Sequence, residues 1–299
     1  MKTLKEVGIG TNFLLDPQEL EIMQKIGEGG YGDVYYGKWL GQDVAIKHFG
    51  KSYSKFHKKR LADFIKEVEV ISNLRHPNIL LYMGVCINCP KFDCPNYLML
   101  TEYLEGGSLF DLLHKKHVKL NEDRLISIAE DIALGMNYLH SRKVFHRDLK
   151  SSNILVDSNW NIKICDFGLS TVNSKLDRRK HKKEGRIGTP HWMAPEIMRS
   201  EEYDEYSDIY SYGMILWEMV MCEVPYNGLS VPQIIGSVGY DNLQVPLPIQ
   251  GNSMILSILE RSLDRDRRKR PTFAHIVEIL QNKNRGKENK SKGIFIIFF

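Results

Sequence analysis

The chain has little cysteine: Cys86, Cys89, Cys94, Cys165 and Cys222 are the five in 299 residues. No apolar leader-like run lies near Met1, so these few thiols argue against a disulfide framework and point to a reducing, cytoplasmic setting. Three of them fall in "CINCPKFDC" (86–94), but no fourth cysteine lies nearby and no neighbouring residue completes a tetrahedral set, which weighs against structural zinc. Long hydrophobic runs are missing as well. The six apolar residues Ile294–Phe299 are far too few to span a bilayer, so no transmembrane segment is expected. There is no internal repeat of solenoid period. Nor is there a strong charge imbalance: the formal net charge is +4 and sits in two short segments. Between Asn173 and Arg186 seven Lys/Arg face Asp177 and Glu184, and between Lys283 and Lys292 five face Glu288, which leaves the remainder mildly acidic. That distribution offers no groove-wide basic surface, so nucleic acid is not an expected partner.

What is present suits a sizeable core in one large domain or two lobes, with 42% hydrophobic and 26% charged residues. The first half reads as strands around one helix over 61–74, where Leu61, Phe64, Ile65, Val68 and Ile71 make an apolar stripe. The second half reads mostly as helix. Asn121 is a cap before Leu125, Ile128, Ala129, Ile132 and Met136, and "YSDIYSYGMILWEMVMC" is apolar nearly all round, as a buried helix would be. The strand "YLMLTEYLEGGSL" joins the halves, with Gly106-Gly107 as a hinge candidate.

"GEGGYGDVYYG" (27–37) carries glycines at 27, 29 and 32, a spacing shared by dinucleotide-binding turns. There the glycines open a helix; here they lead into the alternating, β-rich run Asp33–Trp39, and a further β-type run, Val44-Ala45-Ile46, ends in Lys47. Strand, glycine loop, strand and a lysine on the next strand describe a flap over phosphates. A surface hairpin with a solvated lysine has the same local pattern.

"HRDLKSSNILVD" (146–157) adds a carboxylate, an ammonium and an amide at Asp148, Lys150 and Asn153, and "DFG" adds Asp166. Two carboxylates and an amide are oxygen ligands suited to a hard cation. Phosphoryl transfer needs such parts: cations for the β and γ phosphates, metal ligands, and an acceptor oriented in line.

Taken in order, "GEGGYGDV", "VAIK", "HRDLKSSN", "DFG" and "APE" make the chain resemble a eukaryotic protein kinase domain from about Leu20 to Gln281. "LRHPNILLYMGV", "DFGLSTV" and "SDIYSYGMILWEM" are similar to the tyrosine-kinase-like group, which includes the Raf and mixed-lineage kinases. The resemblance implies an α+β, bilobal fold: a short extension over 1–19, a kinase domain over 20–281 with a small β-rich lobe (20–104) and a larger helical lobe (105–281), and a basic, disordered tail over 282–299 with an apolar end. It implies ATP- and Mg2+-dependent transfer, with Mn2+ as the alternative ion, of the γ-phosphate to serine or threonine hydroxyls of protein substrates in intracellular signalling. Lys150 and the "GTP" at 188–190 favour serine/threonine, with dual specificity the alternative. A nucleotide-binding pseudokinase scaffold is the rival, and none of Lys47, Asp148, Asn153 or Asp166 is lost in its favour.

The same resemblance implies residue roles. Lys47 would hold the α and β phosphates and pair with Glu67 in preference to Glu69; Asp148 would take or orient the substrate proton; Lys150 would stabilise the transferring group; Asn153 and Asp166 would hold magnesium. Ile26, Gly27, Glu28, Gly29, Gly30, Tyr31, Gly32, Asp33 and Val34 would form the flap and its flanks. Ala45, Thr101, Glu102, Leu104 and Leu155 would line the adenine pocket. Glu196 and Arg270 would form an ion pair, Asp208 would cap the catalytic loop, and Thr189 would hydrogen-bond near Asp148 and Lys150. Arg147, beside the catalytic carboxylate, calls for an anion, with Thr171 and Ser174 as candidate phosphorylation sites for an upstream activating kinase.

Overall fold

The structure is a computed structural model that describes residues 13–29, 32–49, 57–93, 96–172 and 189–292, with backbone alone at 29, 57–63, 171–172 and 283–292. Contacts divide the chain into two units, one holding residues up to Glu105 together with Cys165–Ser170, the other holding Gly106–Ile164 and the residues from Thr171 on.

Period-two alternation builds the first unit. Strands β1 (Leu20–Gly29), β2 (Gly32–Trp39), β3 (Gln42–Phe49), β4 (Tyr82–Ile87) and β5 (Tyr97–Glu102) form an antiparallel sheet in the order β1-β2-β3-β5-β4. On β3, Val44, Ile46 and His48 point to one face and Ala45, Lys47 and Phe49 to the other. The first face buries Val44 and Ile46 with Leu15, Leu20, Leu98 and Leu100. Cys86 and Cys89 belong to this cluster, and Phe92 stacks on His48 at 4.0 Å, so the cysteine-bearing stretch is a lid on the back of the sheet. Buried Asn96 clamps it, accepting from Cys89 N at 2.9 Å and donating to Cys89 O at 3.0 Å. Burial pushes the Cys86 thiol up to about 12, which keeps it protonated and inert; Cys94 lies outside the described residues. Helix α1 spans His57–Ile71 rather than 61–74, because Ser72–Leu74 close as a turn after the last buried residue of the stripe.

Helices make most of the second unit. Asn121 caps α2 (Glu122–Ser141) by accepting from Arg124 N at 2.9 Å. Short strands β6 (Gly107–Ser108), β8 (Ile154–Val156) and β9 (Ile162–Ile164) form one sheet, while β7 (Val144–Phe145) pairs with β10 (Thr171–Val172). Then come α3 (Pro195–Met198), α4 (Glu205–Met221), α5 (Val231–Gly239), α6 (Ser253–Ser262) and α7 (Phe273–Lys292). From Ser207 to Met219 α4 is buried on every side, as its sequence predicts.

Gly106, the hinge candidate, is the first residue of the second unit and answers a close backbone approach: a Cβ there would meet Val156 O at 2.4 Å. One expectation is corrected. The segment after Gln281, read as disordered, continues as α7 to Lys292. Its Lys, Arg, Glu and Asn content lacks an apolar stripe and so betrays no packing, but Lys, Arg and Glu are good helix formers. Residues 293–299 lie outside the described residues. No described helix is long and apolar enough to cross a membrane.

Glu196 on α3 and Arg270 form a two-pronged ion pair, Nη1 to Oε1 at 2.6 Å and Nη2 to Oε2 at 2.9 Å, both side chains almost fully buried. Removing one partner strands the other charge, so Arg270→Met is expected to destabilise the protein by about 3–5 kcal/mol, read from the urea midpoint of unfolding.

Candidate active site

Lys47 stands on the exposed-side face of β3, opposite Val34 on β2, while its neighbour but one, Ala45, stands opposite Thr101 on β5. Directly opposed residues share a face, so Val34, Ala45, Lys47 and Thr101 line one side of the sheet. Glu102 carries its carboxylate back to Leu81 N at 2.7 Å, and Leu104 is buried just beyond the strand. On the flap itself Ile26 and Glu28 are exposed. Gly32 has φ +146° and its missing Cβ would fall 2.1 Å from His48 O, so no other residue fits. Gly30 and Tyr31 lie outside the described residues.

Lys47 Nζ lies 2.7 and 2.9 Å from the two oxygens of Glu67 and 3.0 Å from Asp166 Oδ1. Glu67 is buried on α1, while Glu69 is exposed on its outer side. Burial alone would pull the Lys47 ammonium down, but the carboxylates of Glu67 and Asp166 outweigh it and hold it above the ordinary lysine range. Asp166 has φ +64°, a left-handed backbone unusual outside glycine, which aims its carboxylate at the lysine. Gly168 keeps that corner open: a Cβ there would sit 3.3 Å from Glu67 Oε2. Phe167, Ile71 and Tyr82 are all buried in the same unit.

In the second unit residues of "HRDLKSSN" meet one another and Thr189. Asp148 Oδ1 accepts from Thr189 N and Thr189 Oγ1, each at 2.9 Å; Asp148 Oδ2 faces Lys150 Nζ at 2.6 Å; and Lys150 Nζ donates to Thr189 Oγ1 at 2.7 Å. Asn153 donates its amide nitrogen to Asp148 O at 2.8 Å, which leaves its carbonyl oxygen as the end a hard cation would take. Leu155, on β8, is half-buried.

Asp208, fully buried at the start of α4, holds this loop. Its Oδ2 accepts from His146 N at 3.0 Å and faces His140 Nε2 at 2.9 Å, while its Oδ1 accepts from Arg147 N at 3.0 Å and from the Tyr203 hydroxyl. These bonds force Arg147 to φ +69° and lay its guanidinium over the Tyr203 ring, 5.3 Å from the centroid.

A second buried carboxylate was missed from sequence. Glu218 on α4 meets His114 Nε2 at 2.8 Å, Ser151 Oγ at 2.6 Å and Trp192 Nε1 at 2.8 Å, tying the loop next to Lys150 to the segment after Thr189. Its signal was present: a glutamate inside an all-round apolar helix needs buried partners.

Burial pushes the Asp208 carboxyl up, but the bonds and charge of His140, with the other donors, hold it below the usual carboxylate range. Its folded pKa is therefore depressed, and its contribution is present above about pH 4 and lost as pH falls through the folded value. Asp208→Asn is expected to cost about 3 kcal/mol at neutral pH, with the gap to the wild type closing below about pH 4 in urea titrations.

Residues 20–280 match the family model described as protein tyrosine and serine/threonine kinase. The chain is 41% identical to serine/threonine-protein kinase CTR1 of Arabidopsis thaliana, over 88% of this chain and 31% of that protein. It is 40% identical to probable serine/threonine-protein kinase SIS8 of the same plant, over 88% of this chain and 25% of that protein. With probable serine/threonine-protein kinase drkB of Dictyostelium discoideum it shares 36% identity over 90% of this chain and 37% of that protein. The chain thus spans about a quarter to two-fifths of the length of these relatives. A five-stranded lobe with one helix, a helical lobe and a family match across most of the sequence lead to one conclusion: this chain belongs to the protein tyrosine and serine/threonine kinase family.

Proposed function

We propose that the protein transfers the γ-phosphate of ATP to serine and threonine hydroxyls of protein substrates in an intracellular signalling role. The observation that carries this reading is Lys47, held between Glu67 and Asp166 with its ammonium kept charged. A cation fixed in this way binds the α and β phosphates without having to reorganise. Asp148, steadied by Thr189 and Lys150, takes the proton of the acceptor hydroxyl as its oxygen bonds to the γ-phosphorus and the bond to the β-phosphate oxygen breaks, releasing ADP. Lys150 faces the charge on the group in transit. Asn153 and Asp166 present oxygens suited to Mg2+, with Mn2+ as the alternative; when bound, the ion neutralises phosphate charge. Val34, Ala45, Thr101, Glu102, Leu104 and Leu155 serve the adenine, and Ile26–Asp33 the phosphates. Lys150, the Gly-Thr-Pro at 188–190 and the likeness to serine/threonine-protein kinases favour serine and threonine over tyrosine. The four described cysteines are free thiols, which supports a reducing cytoplasmic location.

Purified protein with labelled ATP, magnesium and a generic basic protein is expected to yield phosphoserine and phosphothreonine, while Asp148→Asn yields none. Lys47→Met is expected to lower transfer at least about a hundredfold. It folds with a lower melting temperature, since Glu67 loses the Lys47 ammonium. Near-normal transfer by Lys47→Met, or products dominated by phosphotyrosine, overturns the corresponding part of the reading.

Control by an upstream kinase belongs to the same proposal. It rests on Arg147 beside Asp148 and on the hydroxyls of Thr171 and Ser174; Ser174 and the basic run 173–186 lie outside the described residues. Each phosphate would add about −1.5 to −2 charges opposite guanidinium and ammonium groups. Thr171→Ala with Ser174→Ala is expected to blunt the rise in rate that follows preincubation with ATP and magnesium; phosphatase treatment that leaves the rate unchanged argues against it.

A further inference from the structure

At the base of the glycine flap, Glu28 on β1 stands directly opposite Asp33 on β2. Two carboxylates in opposed cross-strand positions repel, and here they do so beside the turn that is proposed to cover a triphosphate. The only described cation that bridges them is Lys25, whose Nζ lies 2.6 Å from Glu28 Oε2 and 2.8 Å from Asp33 Oδ1. The register of β1 shifts on both sides of this residue, between Ile22 and Lys25 and again between Lys25 and Gly27. Bulges of this kind re-aim a side chain. Asp33 is 5% exposed, whereas Lys25 is 35% and Glu28 74% exposed, so solvent reaches the lysine and Glu28 but hardly the Asp33 carboxylate. Hydrogen bonds that Lys25 donates to Asp33 and then to Glu28 hold its ammonium above the ordinary lysine range. Another lysine–aspartate pair of the same sheet, Lys38 with Asp43, is looser at 3.7 Å and lies at the far end of β2.

We infer that Lys25 is a positioning residue for nucleotide binding: it cancels the repulsion between Glu28 and Asp33, keeps the two strands of the flap together at its root, and lowers the negative charge that meets the phosphates. The inference rests on the phosphotransfer reading above. Glu28, Asp33 and Lys25 together carry one net negative charge; without Lys25 they carry two. The penalty falls on binding of the polyanion and not on the chemical step, whose groups are Asp148 and Lys150. It is electrostatic, so salt screens it.

The test compares wild type, Lys25→Gln, Lys25→Arg and Lys38→Gln, the last as a control on the same sheet. Steady-state kinetics with ATP and a generic basic protein give KM and kcat; titration with a fluorescent ATP analogue gives Kd without catalysis. Lys25→Gln is expected to raise KM and Kd about fivefold in about 0.05 M salt and less than about twofold in about 0.5 M salt, with kcat unchanged. Lys25→Arg keeps the charge and stays near the wild type, as does Lys38→Gln. The inference is overturned if Lys25→Gln matches Lys38→Gln in both constants, if kcat falls while KM holds, or if the effect persists undiminished in high salt. A wild type that binds the analogue but transfers no phosphate sinks the phosphotransfer reading alone, and the titration still decides on Lys25. A wild type that binds no nucleotide overturns both.

Discussion

Asp208, Glu196, Glu218 and Glu67 are carboxylates taken almost wholly out of water, and each must recover within the protein the interactions it gave up. That constraint shapes both units. Asp208 recovers them from two backbone amides, a histidine and a tyrosine hydroxyl, and the two amides are those of His146 and Arg147. Satisfying one buried charge thereby sets the path of the chain immediately before Asp148. Glu218 does the same for the chain after Lys150 through Ser151, and for the segment after Thr189 through Trp192. Both carboxylates belong to α4, a helix buried over its whole central length, so the loop carrying Asp148 is hung from a deeply buried element of its unit.

In the first unit the same rule runs through a single lysine. Glu67 is buried and meets Lys47, which also meets Asp166 from a stretch more than a hundred residues later in the chain. The sheet contributes the face on which Lys47, Val34, Ala45 and Thr101 stand together, and its opposite face is filled by the core of Val44, Ile46, Leu98 and Leu100. The stretch carrying Cys86 and Cys89 closes that core from behind. Its thiols serve packing, with burial keeping Cys86 protonated, and Asn96 supplies the bonds that its irregular backbone lacks.

Arg147, within "HRDLKSSN", and Asp166, within "DFG", both sit at positive φ. Each is held there by bonds around it: Arg147 N by Asp208, and the Asp166 carboxylate by Lys47. Gly32 shows the complementary solution, a glycine where any Cβ would strike His48 O.

The sequence by itself determined the class of fold and singled out the groups proposed to react. Alternation of two marked β2 and β3, helical periodicity and a capping Asn121 marked α2, and fixed local spacing within "HRDLKSSN" and "DFG" named Asp148, Lys150, Asn153 and Asp166, because those signals act over a few residues. Only the tertiary structure decided which partners those groups meet. Nothing local couples Lys47 to Asp166, Asp148 to Thr189, or Glu218 to His114, Ser151 and Trp192, since each pairing is chosen by where distant segments pack. Other features follow the same logic. Helix α7 continues past Gln281 on intrinsic propensity without an apolar stripe to announce it, and the glycine at 106 is demanded by the carbonyl of Val156, a contact no neighbouring residue could foretell.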